Sequence, residues 1–180
     1  DKLKTEIAGV ELESPLILGS GTLGEEVDNC VEAIEAGAGA AVNRTLRLDP
    51  SDRQVYAPLY YIGENYMLNT DNQNLNSWEY WKENLDQVEE AGPLVVSLAA
   101  RNPEDCGIIT DEFESLSTSP TFYEVNFSCS HSAQKHGRIP YERAKKALRE
   151  AQEHTDKPVL LKLSIDNIDT EQVKEIEEEG

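Results

Sequence analysis

The segment VNFSCSH, residues 125–131, combines groups that can move protons and hold a polar ligand. Asn126 offers both a donor and an acceptor, and the Cys129 thiol can act as a general acid or base if its pKa lies near the working pH. A cysteine ending an apolar strand is often only a core residue, but the polar loop SHSAQKHGR that follows favours a site. Nucleophilic hydrolysis by Cys129 with His131 is the rival chemistry, although the sequence gives no signal for the orienting group and oxyanion hole that it needs.

Lys162 lies inside the apolar run PVLLKLS, residues 158–164. A lysine is almost never fully buried unless it is paired. Because its neighbours along the chain are leucines, we expect its partner to be an anionic ligand beyond the end of the strand. An ion pair with a nearby carboxylate is the less favoured interpretation.

The segment GSGTLG, residues 19–24, matches the glycine pattern of dinucleotide-binding turns. Two features weaken that match: the next helix is expected to begin several residues later, and Arg44 lies near the position where an acidic residue should bind the ribose. A nicotinamide-binding module is therefore the minor alternative. The backbone of Ser20, Gly21 and Thr22 can still lie close to a planar ligand, because glycine allows close approach.

Two further candidates follow other predicted elements. Arg44 comes at the end of a predicted strand, where it either pairs with a phosphate or an anionic ring or forms a surface salt bridge. Asn69 lies in the long stretch 49–76, which is rich in Asn and Tyr. Most of these asparagines are typical of turns, but an Asn side chain also matches the N–H and C=O edge of an amide-rich ring.

Apolar strands and amphipathic helices alternate along the chain and must position these residues. Residues 4–13 predict a short hairpin, residues 49–76 are expected to be irregular, and Ser77 is the predicted cap of the second helix. The predicted parallel strands are 15–21, 39–48, 93–100, 121–129 and 158–164, and the predicted helices are 27–37, 77–90, 103–118, 140–155 and 170–179.

Five strand–helix units predict a parallel α/β sheet, either an open doubly wound sheet or part of a (β/α)8 barrel. The 180 residues give about 36 per unit, and eight such units slightly exceed the ~250 residues typical of a barrel. We therefore predict one domain, residues 1–180, that holds the first five units of a TIM barrel and is truncated on its C-terminal side. In such a barrel the C-terminal ends of the strands form the active face.

Composition excludes several classes of protein. Thirty-five acidic residues against 16 Lys and Arg give a net charge of −19, which argues against nonspecific nucleic-acid binding. No apolar run is long enough for a membrane span. Three cysteines without a CxxC pair argue against a metal centre and suit a reducing cytoplasm. The acidic residues are evenly distributed along the chain, which predicts a solvated surface or, more specifically, a host organism with a high salt concentration inside its cells.

Taken together, these segments resemble the class 1 dihydroorotate dehydrogenase family, including the related dihydropyrimidine dehydrogenases. GVELESPLILGSGTLG is similar to the family's first strand, EVNFSCSH to its ELNLSCP motif, and VLLKLS to its lysine strand. Three features resemble the dihydropyrimidine branch more closely: MLN at 67–69, YW at 80–81 and His131. Arg44 stands where the family has a lysine, and Ser130 where it has a proline.

The resemblance implies an FMN-dependent cytoplasmic enzyme of pyrimidine biosynthesis that oxidises dihydroorotate to orotate. Hydride would pass to flavin N5 and a proton to Cys129, with Lys162 near the flavin N1/O2 region, where negative charge gathers on reduction. It also implies substrate binding by Asn69 and Asn126, and cofactor binding by Ser20, Gly21, Thr22, Arg44, Asn126 and Lys162.

A dihydropyrimidine dehydrogenase acting on uracil or thymine is the nearest alternative, followed by a nicotinamide-binding module and a non-catalytic fragment. The expected partner is a second copy of the chain or a separate electron-transfer subunit. Because the later strands of a barrel carry the remaining pocket and the phosphate loops, we expect the 180-residue chain alone to bind FMN poorly.

Overall fold

The computed structural model describes residues 3–48, 59–62, 66–69, 77–99, 102–128, 141–164 and 168–178, with only the backbone described for 59–62 and 66–69. The antiparallel hairpin strands are β1 Thr5–Ile7, β2 Val10–Leu12, β5 Leu59–Ile62 and β6 Tyr66–Asn69. The parallel strands are β3 Ile17–Leu18, β4 Ala40–Val42, β7 Leu94–Leu98, β8 Phe122–Asn126 and β9 Val159–Lys162. The helices are α1 Val27–Glu35, α2 Trp78–Ala91, α3 Glu104–Glu114, α4 Tyr141–Gln152 and α5 Thr170–Glu178.

The main sheet has five parallel strands in the order β3-β4-β7-β8-β9, which confirms the five predicted parallel strands. Each strand is hydrogen-bonded to the next parallel strand along the chain. A doubly wound sheet reverses its order at a switch point, and this sheet does not. The order is consistent with the first five strands of a barrel.

The helices form one layer in chain order. α1 packs against α2 and α3 against α4. A 2.5 Å ion pair between Lys82 and Glu112 joins α2 to α3, and a 2.7 Å ion pair between Lys145 and Glu175 joins α4 to α5. Residues of α1, α2, α3 and α4 belong to one buried cluster, so these four helices cover the same face of the sheet, whereas a doubly wound fold places helices on both faces.

The two faces of the sheet carry two apolar layers, since side chains alternate along a strand. The helix-facing layer packs strand residues such as Val96 and Val125 against helix residues such as Trp81 and Phe113. The opposite face packs against the hairpin β1–β2 near the N-terminal ends of the strands. We call its buried residues the apolar floor: Leu12, Ala40, Val42, Val95 and Phe122.

The sheet is strongly curled toward this second face. Ser20 follows β3 and Lys162 ends β9, so they belong to opposite edges of the sheet. Four interstrand spacings of a flat sheet would separate the two edges by about 19 Å, which two side chains cannot span. The Lys162 Nζ atom nevertheless lies 2.5 Å from Ser20 Oγ, so the face that holds both groups is concave.

Most sequence predictions of elements are confirmed, including the N-terminal hairpin and the cap of α2, where Ser77 Oγ accepts a hydrogen bond from the Tyr80 amide. The expectation of an irregular stretch over 49–76 is wrong, because β5 and β6 form a hairpin within it. The segments LYYI and YMLN are rich in residues with high strand propensity. The strands were not predicted because the residues around them are typical of turns.

Candidate active site

Toward the C-terminal ends of the strands the concave face becomes polar. One inward position beyond the apolar floor, β7 presents Ser97 and β8 presents Glu124, and at the next inward position β8 and β9 present the register partners Asn126 and Lys162. Ser97 and Glu124 are register partners across neighbouring strands. Polar groups at successive inward positions of adjacent strands, above an apolar base, are typical of a site rather than a core.

Lys162 forms an ion pair with a carboxylate of the neighbouring strand, one inward position closer to the floor. Its Nζ lies 2.7 Å from Glu124 Oε1 and 2.5 Å from Ser20 Oγ. The Lys162 side chain is 33% exposed and that of Glu124 only 12%, so the ammonium lies at the opening with the carboxylate beneath it. The interpretation that disfavoured a carboxylate partner is therefore wrong, because the partner comes from the adjacent strand and not from the neighbours along the chain.

Hydrogen bonds extend from this pair to Asn126. Ser97 Oγ donates to Glu124 Oε1 at 2.6 Å, and Thr45 Oγ1 lies 2.9 Å from Ser97 Oγ. Asn126 Nδ2 donates to Thr45 Oγ1 at 2.8 Å, while Asn126 Oδ1 accepts from the amide and hydroxyl of Ser128. Because Ser97 gives its single hydroxyl proton to the carboxylate, Thr45 must donate to Ser97.

We call these connected side chains the rim network: Ser20, Thr45, Ser97, Glu124, Asn126 and Lys162. They come from the segments after β3 and β4 and from β7, β8 and β9, all at the C-terminal edge of the sheet. The network offers one ammonium, one carboxamide and several hydroxyls above an apolar floor. Such a surface suits a planar ligand with hydrogen-bonding edges and a site of negative charge.

The predicted ligand-contact segment Ser20, Gly21 and Thr22 follows β3 directly. The Gly21 amide donates to the Gly19 carbonyl at 2.7 Å, which makes a tight turn, and Thr22 begins a short 3-10 helix. A Cβ on Gly19 would meet no atom within 4 Å, and one on Gly21 would meet only the Gly19 carbonyl at 4.0 Å. The turn therefore has open space beside it and leaves Ser20 free of steric crowding at the opening.

The third glycine of the motif has a packing role. A Cβ on Gly24 would lie 2.4 Å from the Val42 carbonyl oxygen, so only glycine permits this close approach to β4. The Gly24 carbonyl accepts from the Arg44 amide at 2.6 Å. Arg44 is 9% exposed, and its Nε lies 3.1 Å from Glu25 Oε2. The salt bridge considered for Arg44 is thus present but internal and not at the surface, and a cofactor contact by Arg44 stays a prediction.

Two predicted residues are located only in part. Asn69 ends β6, and its side chain lies outside the described residues. Cys129 also lies outside them, since the description of this strand end stops at Ser128. Asn126 and Lys162 are register partners at the ends of β8 and β9. The strand that leads to Cys129 and the strand that carries Lys162 therefore end at the same edge of the sheet.

The other cysteines are unsuited to acid–base chemistry. Cys30 and Cys106 are free thiols that are fully buried in the helix layer. Burial raises the pKa of each thiol to about 12. Within the described ranges no cluster of His, Cys, Asp and Glu is arranged to hold a metal ion, and no described helix is long and apolar enough to cross a membrane.

Sequence reasoning missed Glu124, Ser97 and Thr45. For Glu124 a signal was present, because it is the one charged residue in the strand FYEVN, just as Lys162 is in VLLK. Two opposite charges in apolar neighbouring strands predict each other. The hydroxyls of Ser97 and Thr45 carry no comparable signal, since serine and threonine are common in strands and loops alike.

No family model matches the chain. Among curated proteins, the chain is 30% identical over 174 residues to the catalytic subunit of dihydroorotate dehydrogenase B (NAD(+)) of Thermococcus kodakarensis, which covers 93% of the chain and 55% of that protein. The same subunit of Pyrococcus furiosus is 26% identical over 166 residues, covering 90% and 53%. That of Methanothermobacter thermautotrophicus is 30% identical over 136 residues, covering 72% and 42%.

The chain therefore spans about half the length of the curated relatives it matches. The similarity is distant but extends over nine-tenths of the chain in two of these three comparisons. The chain is therefore a distant relative of the catalytic subunits of dihydroorotate dehydrogenase B.

Proposed function

We propose that the chain forms the first five βα units of a TIM barrel that oxidises dihydroorotate to orotate with FMN. The observation that carries the proposal is the Lys162 ammonium, fixed at the mouth of a concave parallel sheet beside an open glycine turn. A cation at the C-terminal ends of the strands is where a barrel binds an anionic ligand. The similarity to dihydroorotate dehydrogenase catalytic subunits supports the same assignment.

The residues present fit FMN. Gly19 and Gly21 have space beside them that a planar ring can use, and Ser20 offers a hydroxyl beside the Lys162 ammonium. Ser20, Gly21, Thr22, Arg44, Asn126 and Lys162 are the residues proposed to hold the cofactor. When bound, FMN supplies the two-electron acceptor for the hydride, and the nearby ammonium favours its reduced, negatively charged form.

The remaining roles concern the pyrimidine. Asn126 presents an oriented carboxamide, and Asn69 is proposed as the second amide that binds the ring edge. The Cys129 thiolate takes the proton from C5 of dihydroorotate, and the thiol returns it in the reverse direction. Holding the ring in one orientation supplies much of the rate enhancement, because it removes the entropy of alignment.

A partner subunit completes the proposal. The relatives are named as catalytic subunits of an NAD(+)-dependent enzyme, which implies at least one further subunit. We propose that electrons leave this chain for a separate electron-transfer subunit and then reach NAD(+), the acceptor in the names of these relatives.

The test uses the natural gene product that contains this chain, purified and scanned for flavin absorbance. Anaerobic addition of dihydroorotate should bleach the flavin, and dihydrouracil should not. Bleaching by dihydrouracil alone would favour the dihydropyrimidine alternative, which His131 and the YW pair at 80–81 support. Fluorescence transfer to NADH without any flavin would favour a nicotinamide module and overturn the proposal.

A further inference from the structure

A single oxygen atom, Glu124 Oε1, is the centre of the rim network. It accepts a hydrogen bond from Lys162 Nζ at 2.7 Å and another from Ser97 Oγ at 2.6 Å. Glu124 is 9% exposed and Ser97 is fully buried. A buried carboxylate between a cation and a hydroxyl holds both in one geometry, since leaving either bond unmade is costly.

The second arm of the network points toward the same carboxylate. Asn126 Nδ2 donates to Thr45, Thr45 donates to Ser97, and Ser97 donates to Glu124. Each donor in this arm faces the negative charge, so the bonds polarise one another in the same sense. The carboxylate thereby decides which end of the Asn126 amide faces Thr45 and leaves the amide oxygen to Ser128.

We propose that Glu124 is a positioning residue that orients both sides of the site. Through the direct ion pair it holds the Lys162 ammonium on the cofactor side, and through Ser97 and Thr45 it holds the Asn126 amide on the substrate side. The identities of the two ligands rest on the proposed function, whereas the positioning of Lys162 and Asn126 does not.

The charge of Glu124 has a further consequence. Lys162 and Glu124 together carry no net charge, so the paired site accommodates a ring that is neutral in one state and anionic in the other. Replacing the carboxylate by a carboxamide leaves a net positive charge at the opening. Glu124→Gln should therefore increase the preference for reduced over oxidised FMN by roughly tenfold, which equals about 30 mV for a two-electron couple.

The first measurement needs no cofactor. Lysines in the natural gene product are labelled with a limiting amine acylating reagent, and the rate at each site is followed by mass spectrometry. In Glu124→Gln, Lys162 should react at least about fivefold faster, because the charge-assisted bond that holds its Nζ 2.7 Å from Glu124 Oε1 is lost. Lys4 and Lys174, which are more exposed and lie in other pairs, serve as internal references.

The second measurement compares the dissociation constants of oxidised and reduced FMN in three variants. Glu124→Gln should shift their ratio about tenfold. Thr45→Val cuts only the arm to Asn126, so it should leave the ratio and the Lys162 labelling rate unchanged while weakening orotate binding about fivefold. Glu89→Gln, a carboxylate change at the opposite end of the sheet, should change none of the three readouts.

The outcomes separate the inference from the proposed function. Unchanged Lys162 labelling in Glu124→Gln overturns the positioning role, whether or not FMN binds. A gene product that binds no FMN overturns the proposed function and the charge effect, and labelling then decides the positioning of Lys162 alone. Equal orotate affinity in Thr45→Val and the wild type overturns the arm to Asn126.

Discussion

Two carboxylates at opposite ends of the same strands differ in what they bind. At the C-terminal ends, Glu124 accepts hydrogen bonds from the side chains of Lys162 and Ser97. At the N-terminal ends, Glu89 accepts from the Leu94 amide at 3.1 Å and the Thr121 amide at 2.7 Å, and from the Thr121 hydroxyl. One carboxylate organises side chains, and the other ties together the backbone where β7 and β8 begin.

The two sets of partners follow from different requirements. Backbone amides at strand entries must be satisfied in any sequence with this fold, so Glu89 answers a structural need. No rule of folding requires a lysine, a carboxylate and a carboxamide to meet at the other end. In parallel α/β barrels, the C-terminal ends of the strands carry the chemistry and the N-terminal ends carry stability.

Removal of the thiol proposed for the C-terminal end tests the functional assignment most severely. Cys129→Ser in the natural gene product should lower kcat for dihydroorotate oxidation by about 10²–10⁴-fold, because serine is a far weaker base at neutral pH. Steady-state kinetics with saturating substrate measure the loss. Flavin absorbance shows that the site remains assembled.

Cys106→Ser is the matched control. Cys106 is fully buried in the helix layer, and burial raises its pKa to about 12, so its replacement should cost stability and spare kcat. Equal losses of kcat in the two variants would remove Cys129 from the chemistry and contradict a functional C-terminal end.

The second prediction concerns stability at the C-terminal end. Lys162→Met strands the largely buried Glu124 carboxylate without its cation, and we expect a loss of about 2 kcal/mol in the free energy of unfolding, reduced by the partial exposure of Lys162. Adding Glu124→Gln to Lys162→Met removes the stranded charge and should restore most of that loss. Urea unfolding curves of the wild type, both single variants and the double variant measure the coupling.

The double variant should not recover flavin binding with its stability, because it still lacks the Lys162 ammonium. If the double variant is no more stable than Lys162→Met, the ion pair contributes nothing and Glu124 is held by other groups. If the double variant also binds FMN as the wild type does, then the ammonium is part of the structure only, and the contrast between the two ends fails.

The sequence predicted the strands and helices well but the side-chain contacts between them poorly. Apolar runs and helical periodicity locate the parallel strands and α-helices that the structure describes, because these patterns follow from burial on one or both faces. They also place Lys162 and Asn126 at strand ends. The register that pairs Asn126 with Lys162 and brings Glu124 next to Ser97 depends on which strands are neighbours, and no local pattern contains that information.

The same limit explains why the sequence did not identify the carboxylates that pair with Arg44 and Lys162. Arg44 pairs with Glu25, from the short 3-10 helix, and Lys162 with Glu124, which lies 38 residues earlier in the chain. Both carboxylates were visible in the sequence, but their proximity is a product of the fold. The hairpin β5–β6 was missed for a different reason, since the turn-forming residues around it outweighed its short aromatic strands.

At the N-terminal ends of the strands, the Glu89 carboxyl makes stability depend on pH. Burial raises the pKa of the Glu89 carboxyl above its usual value, against the lowering effect of its hydrogen bonds to Thr121 and Leu94. The folded state therefore binds this proton more tightly than the unfolded state. Stability from this group is greatest below the unfolded pKa and falls as pH rises through the folded pKa.

Glu89→Gln removes this titration, so the variant should lose less stability than the wild type when the pH is raised from about 4 to 7. Melting temperatures at intervals across that range give the two slopes. Glu32→Gln, at an exposed position of α1, controls for the loss of one surface charge and should keep the wild-type slope. Identical slopes for Glu89→Gln and the wild type would mean that Glu89 is not desolvated.

The smallest expected effect separates both ends from the surface around them. A net charge of −19 repels itself over long range, and raising KCl from 0.1 to 1 M shortens the screening length from about 10 to 3 Å. Relief of up to about 1 kcal/mol would raise the melting temperature by roughly 2–4 °C in a domain of this size.

Short contacts such as the pair of Glu124 and Lys162 are partly buried and are screened much less. The melting temperature should therefore rise with KCl by the same amount in the wild type, Glu89→Gln and Glu124→Gln. Unchanged melting temperatures in all three proteins would exclude a stabilising role for salt. A rise that differs for Glu124→Gln would show that the wild-type pair of Glu124 and Lys162 is open to solvent ions and cannot hold Lys162 in place.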